Sequence, residues 1–300
     1  MNESEEELLN AAAIRSMLPK HLPGDFIEMA ALSVIVLLGL PINLYTLHRQ
    51  LASLWRWPRA RADESKLGFL MLKINLNCAD TTLICLCIVQ ISWLVTYDWR
   101  FGDVFCRIYK FLENFALFGQ SNAVVIIALD RLKTVITPTA LGRAHLSRNM
   151  RLMIACAWLC AAFCSLPVLL VFTSFDITQG LLPEGWYQCT NCWAVISHQR
   201  GPTANLTAAE AASKDAYNIG HFLTVFCIPT AILAAAYALI FARLAVLSRR
   251  PATSIKHLRC TLSYLPFSYF VEFDMGILIL TTGVLLTKAI GHAIYRNREY

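Results

Sequence analysis

Charged residues are scarce in this chain of 300 residues: they make up 15% of it, against roughly 25% in soluble domains. Hydrophobic residues account for 57%, and the mean hydropathy is +0.52. These values exclude a water-soluble globular domain and indicate an integral membrane protein. The opening MNESEEE lacks the basic flank and apolar core of a cleaved signal peptide, so we expect the first spanning segment to direct insertion.

Catalytic and metal-binding motifs are also missing. The sequence has no glycine-rich phosphate loop, no Ser/His/Asp order and no His-x-x-x-His pair, so we expect neither an enzyme nor a cofactor. Cys189 and Cys192 could form half of a zinc site, but no second Cys or His pair stands nearby, so no metal is expected. The net charge of +6 lies largely in short loops, which argues against a nucleic-acid partner.

Long apolar stretches dominate the sequence. They lie at roughly 26–48, 67–96, 107–130, 152–173, 217–242 and 262–290. The first five are long enough to cross a bilayer, which takes about 20 residues. Their continuity excludes a strand barrel, whose segments alternate. The sequence therefore predicts an all-α, polytopic transmembrane helix bundle with five clear spans and one atypical C-terminal span.

Basic residues are distributed unevenly between the two sides of the membrane. The segments 49–66, 131–151 and 243–259 carry five Lys or Arg each, whereas 1–25, 98–105 and 174–216 carry two, one and two. Because cytoplasmic loops are enriched in Lys and Arg, we expect an extracellular N-terminus. The glycosylation sequons at Asn2 and Asn205 then fall outside, although either could remain unmodified. A multi-pass plasma-membrane protein is predicted.

Three cysteines lie on the predicted outer side. Cys106 stands at the outer end of the third stretch, and Cys189 and Cys192 lie in the longest outer loop. The extracellular compartment is oxidising, so a bridge from Cys106 to this loop is favoured. It would stabilise the fold by about 2–4 kcal/mol. We favour Cys189 as the partner, with Cys192 as second choice.

Several short motifs follow one another along residues 26–248. They are Gly39-Leu-Pro-Ile-Asn43, Asn75-Leu-Asn-Cys-Ala-Asp80, Trp99-Arg-Phe-Gly102, Asp130-Arg131-Leu132 with Pro138 beyond it, Trp158, Tyr187-Gln-Cys189, and Pro229 with Tyr237. Together they resemble the class A, rhodopsin-like G-protein-coupled receptors, and most closely the gonadotropin-releasing hormone and adipokinetic hormone receptors.

The resemblance implies roles for several of these residues. Asp130 would hold Arg131 at rest, and on activation Arg131 would turn towards a heterotrimeric G protein, with Tyr237 as its candidate partner. Asp80 is a core polar site that holds sodium in many family members, although here we expect it to be hydrated. The remaining matches are Asn43 as a core polar residue, Trp99, Trp158 and Pro229 as structural residues, and Pro138 in the activation region.

The ligand hypothesis centres on Glu113, two turns into the third span. Related receptors usually place a basic residue there, and a carboxylate would attract a cationic or donor group. A structural pairing with Lys110 or a neighbouring helix is an equal alternative. The other pocket candidates are Gln90, Trp93, Tyr217 and His221. Aromatic walls with a few polar groups suit an extracellular peptide.

The chain divides by composition into four parts. They are an extracellular tail (1–25), a receptor core (26–248), a cytoplasmic loop (249–261) and an atypical apolar segment with its tail (262–300). The basic residues of the inner loops are expected to contact anionic lipid and a G protein. The family has two spans where 262–300 supplies one, so a non-signalling form that pairs with other receptors is an alternative. A small transporter or membrane enzyme is the remote alternative.

Overall fold

The computed structural model describes residues 21–56, 64–136, 146–201 and 206–248. Pro138, both sequon asparagines (Asn2 and Asn205) and the predicted segments 249–261 and 262–300 lie outside these residues.

Five helices of the described part of the chain are long and apolar enough to cross a membrane. They are α1 (Pro23–Trp55), α2 (Glu64–Thr96), α3 (Gly102–Ile136), α4 (Leu146–Ser165) and α5 (Ala208–Phe222, Leu223–Cys227 and Ile228–Ser248 in one rod). Polar caps extend some helices beyond their apolar stretches. At the start of α5, the Glu210 carboxylate accepts the Thr207 N–H at 2.9 Å. The predicted all-α, polytopic bundle is confirmed.

Helix α3 lies at the centre of the bundle. Its most apolar window is 61% buried, against 6–22% for the other four helices. It packs against α2, α4 and α5, and the core shared by α2, α3 and α4 contains Leu72, Leu76, Ala123, Ile126, Ile127 and Met150. The other helices expose large apolar side chains on their outer faces, as lipid contact requires.

Trp158 of α4 reaches across α3 to α2. Its indole Nε1 donates to the side-chain oxygen of Asn75. Its ring lies against Gly119, where a Cβ atom would stand 2.7 Å from the nearest ring carbon. Asn122 adds a hydrogen bond from its Nδ2 to the carbonyl of Ala157 at 3.1 Å. Glycine at position 119 therefore permits the close approach of α3 and α4.

Helix α5 contains a π-helical turn at Leu223–Cys227, shortly before Pro229. Proline has no N–H to donate to the carbonyl four residues earlier, which here belongs to Val225. The hydroxyl of Ser121 donates to this carbonyl at 2.8 Å and so joins α5 to α3. α1 has a similar π turn at Ile35–Gly39 before its own proline. Both distortions adjust a helix around a missing hydrogen bond.

The fourth membrane-capable span runs from Met150 to Val171, close to the predicted stretch 152–173, but its helix is interrupted near the end. The helix ends at Ser165, and after one helical turn at Val168–Val171 strand β1 (Phe172–Asp176) begins. Pro167 explains the break, because it lacks an N–H and disfavours helical backbone in the residue before it. The last two residues of the predicted stretch therefore belong to a strand.

An antiparallel hairpin follows, which the sequence did not predict. β1 pairs with β2 (Tyr187–Asn191), and Ser174 stands opposite Cys189. A disulfide joins Cys189 to Cys106 of α3, which is the pairing that the sequence favoured. Cys192 is a free cysteine at the start of a short helix.

Side chains at the start of α3 fix the hairpin in place. The Asp103 carboxylate accepts the Thr173 hydroxyl at 2.7 Å and the Ser174 N–H at 2.8 Å. Trp99, which is fully buried, packs in one cluster with the disulfide. The hairpin therefore covers the end of α3 that carries Cys106.

Candidate functional site

Polar side chains recur along the whole length of α3. They include Lys110, Glu113, Asn114, Gln120, Ser121 and Asp130. Such groups are costly inside a membrane unless they are paired or functional. The candidate site therefore extends along α3, from the disulfide end to the opposite end.

Lys110 and Glu113 form an ion pair one turn apart, with Nζ and Oε2 separated by 3.2 Å. The pair is largely shielded, since the two side chains are 13% and 9% exposed. The Lys110 ammonium also lies within 5.1–5.6 Å of the ring centres of Trp93, Tyr109 and Phe172. Glu113, the proposed ligand contact, therefore has the structural partner that the sequence left as its alternative.

Gln90 links α2 to both neighbouring helices. Its Oε1 accepts the Tyr109 hydroxyl at 2.8 Å, and its Nε2 donates to a Glu28 carboxylate oxygen at 3.5 Å. Gln90 and Trp93 thus stand beside the Lys110–Glu113 pair, and the structure brings these predicted pocket residues together.

His221 of α5 faces α3. Its Nε2 donates to the Asn114 Oδ1 at 2.5 Å, and its ring meets the Phe118 ring edge-on at 5.7 Å. Tyr217 lies one turn away, with its ring centre 6.3 Å from that of His221 and 5.6 Å from that of Trp193. Tyr217 and His221 thus form the α5 wall of the same region.

Asp80 has an internal partner from α3. The Gln120 Nε2 donates to an Asp80 carboxylate oxygen at 2.5 Å. An amide N–H is not a cation ligand, and one oxygen of the Asp80 carboxylate is engaged by this hydrogen bond from α3. Asn43 is satisfied within its own helix, donating to the Gly39 carbonyl at 2.8 Å.

The opposite end of α3 carries Asp130 and Arg131. The Asp130 side chain is buried, and the Arg131 Cζ lies 3.9 Å from the ring centre of Phe69 on α2. The Lys73 Nζ lies 4.3 Å from the same ring centre. Tyr237 is partly buried on α5, which packs along α3.

A family model described as "7 transmembrane receptor (rhodopsin family)" matches residues 64–280, more than half of the chain. The chain belongs to the rhodopsin family. This confirms the family predicted from the motifs. It also confirms that the chain is not an enzyme, because the family and the relatives below are receptors.

Several curated receptors are similar to this rhodopsin-family chain. The G-protein coupled receptor daf-38 of Caenorhabditis elegans is 30% identical over 241 residues, covering 80% of the chain and 54% of daf-38. The oxytocin receptor of Ovis aries is 26% identical, covering 71% and 47%. The gonadotropin-releasing hormone receptor of Octopus vulgaris is 27% identical, covering 64% and 42%. The matched region thus spans about half the length of each relative.

Several contact residues of this family member were not singled out from the sequence, among them Asn114, Trp193 and Phe69. Asn114 accepts a hydrogen bond from His221, Trp193 packs on Tyr217, and Phe69 contacts Arg131. A sequence signal existed only for Asn114, which follows Lys110 at the helical interval of four that shares a face. The partners of the other two come from distant parts of the chain.

Proposed function

We propose that this rhodopsin-family protein is a plasma-membrane receptor that binds an extracellular peptide and activates a heterotrimeric G protein. The observation that carries the proposal is the arrangement along α3. A disulfide-tethered hairpin covers one end of this central helix, and buried Asp130 lies beside Arg131 at the other. A ligand that changes the packing of such a helix at one end can change its contacts at the other.

We place the hairpin and the N-terminus outside the cell. The disulfide supports this side, because such bonds persist in oxidising compartments. The concentration of Lys and Arg in the loops at the opposite end supports it independently. Asn2 and Asn205 are then proposed glycosylation sites.

The proposed ligand region lies between α2, α3, α5 and the hairpin. Its residues are Gln90, Trp93, Lys110, Glu113, Asn114, Tyr217 and His221. Here an ammonium, a carboxylate, amides and aromatic rings stand together, which suits a peptide that presents amides, carbonyls and apolar side chains. The hormones in the names of the oxytocin and gonadotropin-releasing hormone receptors are peptides, which favours the same ligand class.

At the inner end, Arg131 is the proposed contact for a G-protein helix, and Tyr237 is its proposed partner on activation. Pro138 and the basic residues of the following loop, such as Arg143, extend this surface towards anionic lipid and the G protein. Pairing with other receptors is a further proposed interaction of the bundle.

Nucleotide exchange tests the proposal. The full chain in lipid nanodiscs, with heterotrimeric G protein, should accelerate GTPγS binding when an active oxytocin-like or gonadotropin-releasing-hormone-like peptide is added. Arg131→Ala should abolish this acceleration while the peptide still binds, because the substitution is far from the outer region. Lys133→Ala, an exposed cation on the same turn, is the matched control and should retain it.

Binding of these peptides without any exchange, in protein that reaches the cell surface, would contradict the G-protein step. That result would favour the alternative of a non-signalling receptor that acts by pairing with other receptors. Absence of binding across the peptide panel would contradict the proposed ligand class.

A further inference from the structure

Phe69 lies between two cations at the inner end of the bundle. It stands on α2 one turn before Lys73, whose Nζ is 4.3 Å from the ring centre. Arg131 approaches from α3, with its Cζ 3.9 Å from the same centre. Phe69, Lys73 and Arg131 are each partly buried.

The chemistry of this arrangement sets two opposing effects on Arg131. The negative face of an aromatic ring attracts a cation within about 6 Å, and a planar guanidinium can also stack on it. Lys73 and Arg131 carry like charges beside one ring, so they repel each other. Phe69 therefore holds Arg131 against α2, and Lys73 weakens that hold.

We propose that Phe69 is a positioning residue that restrains Arg131 in the resting receptor, and that Lys73 sets how easily Arg131 moves away from the Phe69 ring. The role in the resting receptor rests on the proposed function, in which Arg131 engages a G protein. The contact of Phe69 with Arg131 concerns only the packing of α2 against α3. The buried Asp130 carboxylate is next to Arg131 on α3 itself. The contact with Phe69, by contrast, joins Arg131 to a second helix, α2.

A double-mutant cycle tests the contact without any ligand. The melting temperatures of wild type, Phe69→Leu, Arg131→Gln and the double variant are measured for the full chain in nanodiscs. We expect the double variant to lose about 2 °C less than the sum of the single losses. Phe69→Tyr should keep the wild-type coupling because it keeps the ring.

Phe111→Leu is the matched control for this cycle. Phe111 is also a partly buried helical phenylalanine, but its ring stacks on Phe115 at 5.9 Å, about 30 Å along α3 from Arg131. Its combination with Arg131→Gln should be additive. An additive cycle for Phe69 and Arg131 as well would overturn the proposal.

Ligand-free nucleotide exchange tests the restraint. Phe69→Leu should raise basal exchange about threefold or more, and Lys73→Gln should lower it, because the first releases Arg131 and the second removes the repulsion. Exchange that is unchanged or lowered in Phe69→Leu would overturn the restraint. If no variant and no peptide produces exchange, the proposed function fails, and the cycle alone decides whether Phe69 holds Arg131.

Discussion

Gly119 is a position where the bundle has no room for a side chain. A Cβ atom there would lie 2.7 Å from the Trp158 ring, and that ring is held by packing and by its hydrogen bond to Asn75. We predict that Gly119→Ala destabilises the protein by about 1–3 kcal/mol through overpacking. Thermal unfolding of the purified protein measures this loss.

Gly220→Ala is the control for that substitution. A Cβ at Gly220 would meet nothing within 4 Å, and alanine is the better helix former, so its melting temperature should stay equal or rise. Equal losses for the two alanine variants would show that the loss at position 119 does not come from the contact with Trp158.

The ion pair of Lys110 and Glu113 should also contribute to the stability of the protein. The two side chains are mostly shielded, so removing one leaves the other charge without its compensation. We predict that Glu113→Gln lowers stability by about 3 kcal/mol. The double variant Lys110→Met with Glu113→Met should recover much of this loss, because both charges are gone.

Chemical unfolding of the three proteins provides the comparison. An unchanged free energy of unfolding in Glu113→Gln would contradict a stabilising role for the ion pair. That result would favour the other role proposed for the Glu113 carboxylate, which is contact with a ligand.

At the scale of elements, the turn that joins the two strands of the hairpin depends on the Asp176 carboxylate. Burial of Asp176 favours its neutral form, but hydrogen bonds from the Trp186 N–H, from Thr178 and from the Gly180 N–H outweigh it and hold the pKa below its ordinary value. A lowered pKa means that the carboxylate stabilises the folded turn. This stabilisation is complete above the unfolded pKa of about 3.9 and is lost as the pH falls through the folded value.

We therefore predict that the amides of Thr178, Gly180 and Trp186 keep their hydrogen-exchange protection from pH 7 down to about pH 4 and lose it at still lower pH, as the Asp176 carboxylate titrates through its lowered pKa. Asp176→Ala should remove the protection at every pH. The control is Glu184→Gln, an exposed carboxylate in the same turn, which should leave it unchanged. Protection in Asp176→Ala equal to wild type would contradict a role for the carboxylate.

The sequence predicted the helices well and the hairpin not at all, for a physical reason. Each helix is specified locally by an apolar run long enough to cross a bilayer. The strands β1 and β2 are short and lack a clear alternation, and they are held by contacts from elsewhere. Those contacts are the disulfide at Cys189, the Asp103 carboxylate and the Asp176 turn.

The candidate site was predictable in part for the same reason. Glu113, Gln90, Trp93, Tyr217 and His221 are polar or aromatic residues in apolar stretches, and the structure brings them into one region. Their pairings were not predictable, because they join helices far apart in the chain.

At the scale of the whole molecule, every functional proposal depends on which side of the membrane each end of α3 faces. The rhodopsin-family match fixes the fold of the chain but does not by itself orient these residues. The hairpin end carries the disulfide, and the Arg131 end leads into the basic loop 131–151. A receptor that works as proposed has the first end outside the cell and the second end inside.

Epitope accessibility measures this directly. One variant carries a short tag after Pro183, at the exposed tip of the hairpin, and another carries the same tag after Ala140, beyond α3. In intact cells an antibody should stain the Pro183 tag, and it should stain the Ala140 tag only after permeabilisation. Staining of the Ala140 tag in intact cells, with the Pro183 tag reached only after permeabilisation, would contradict the account.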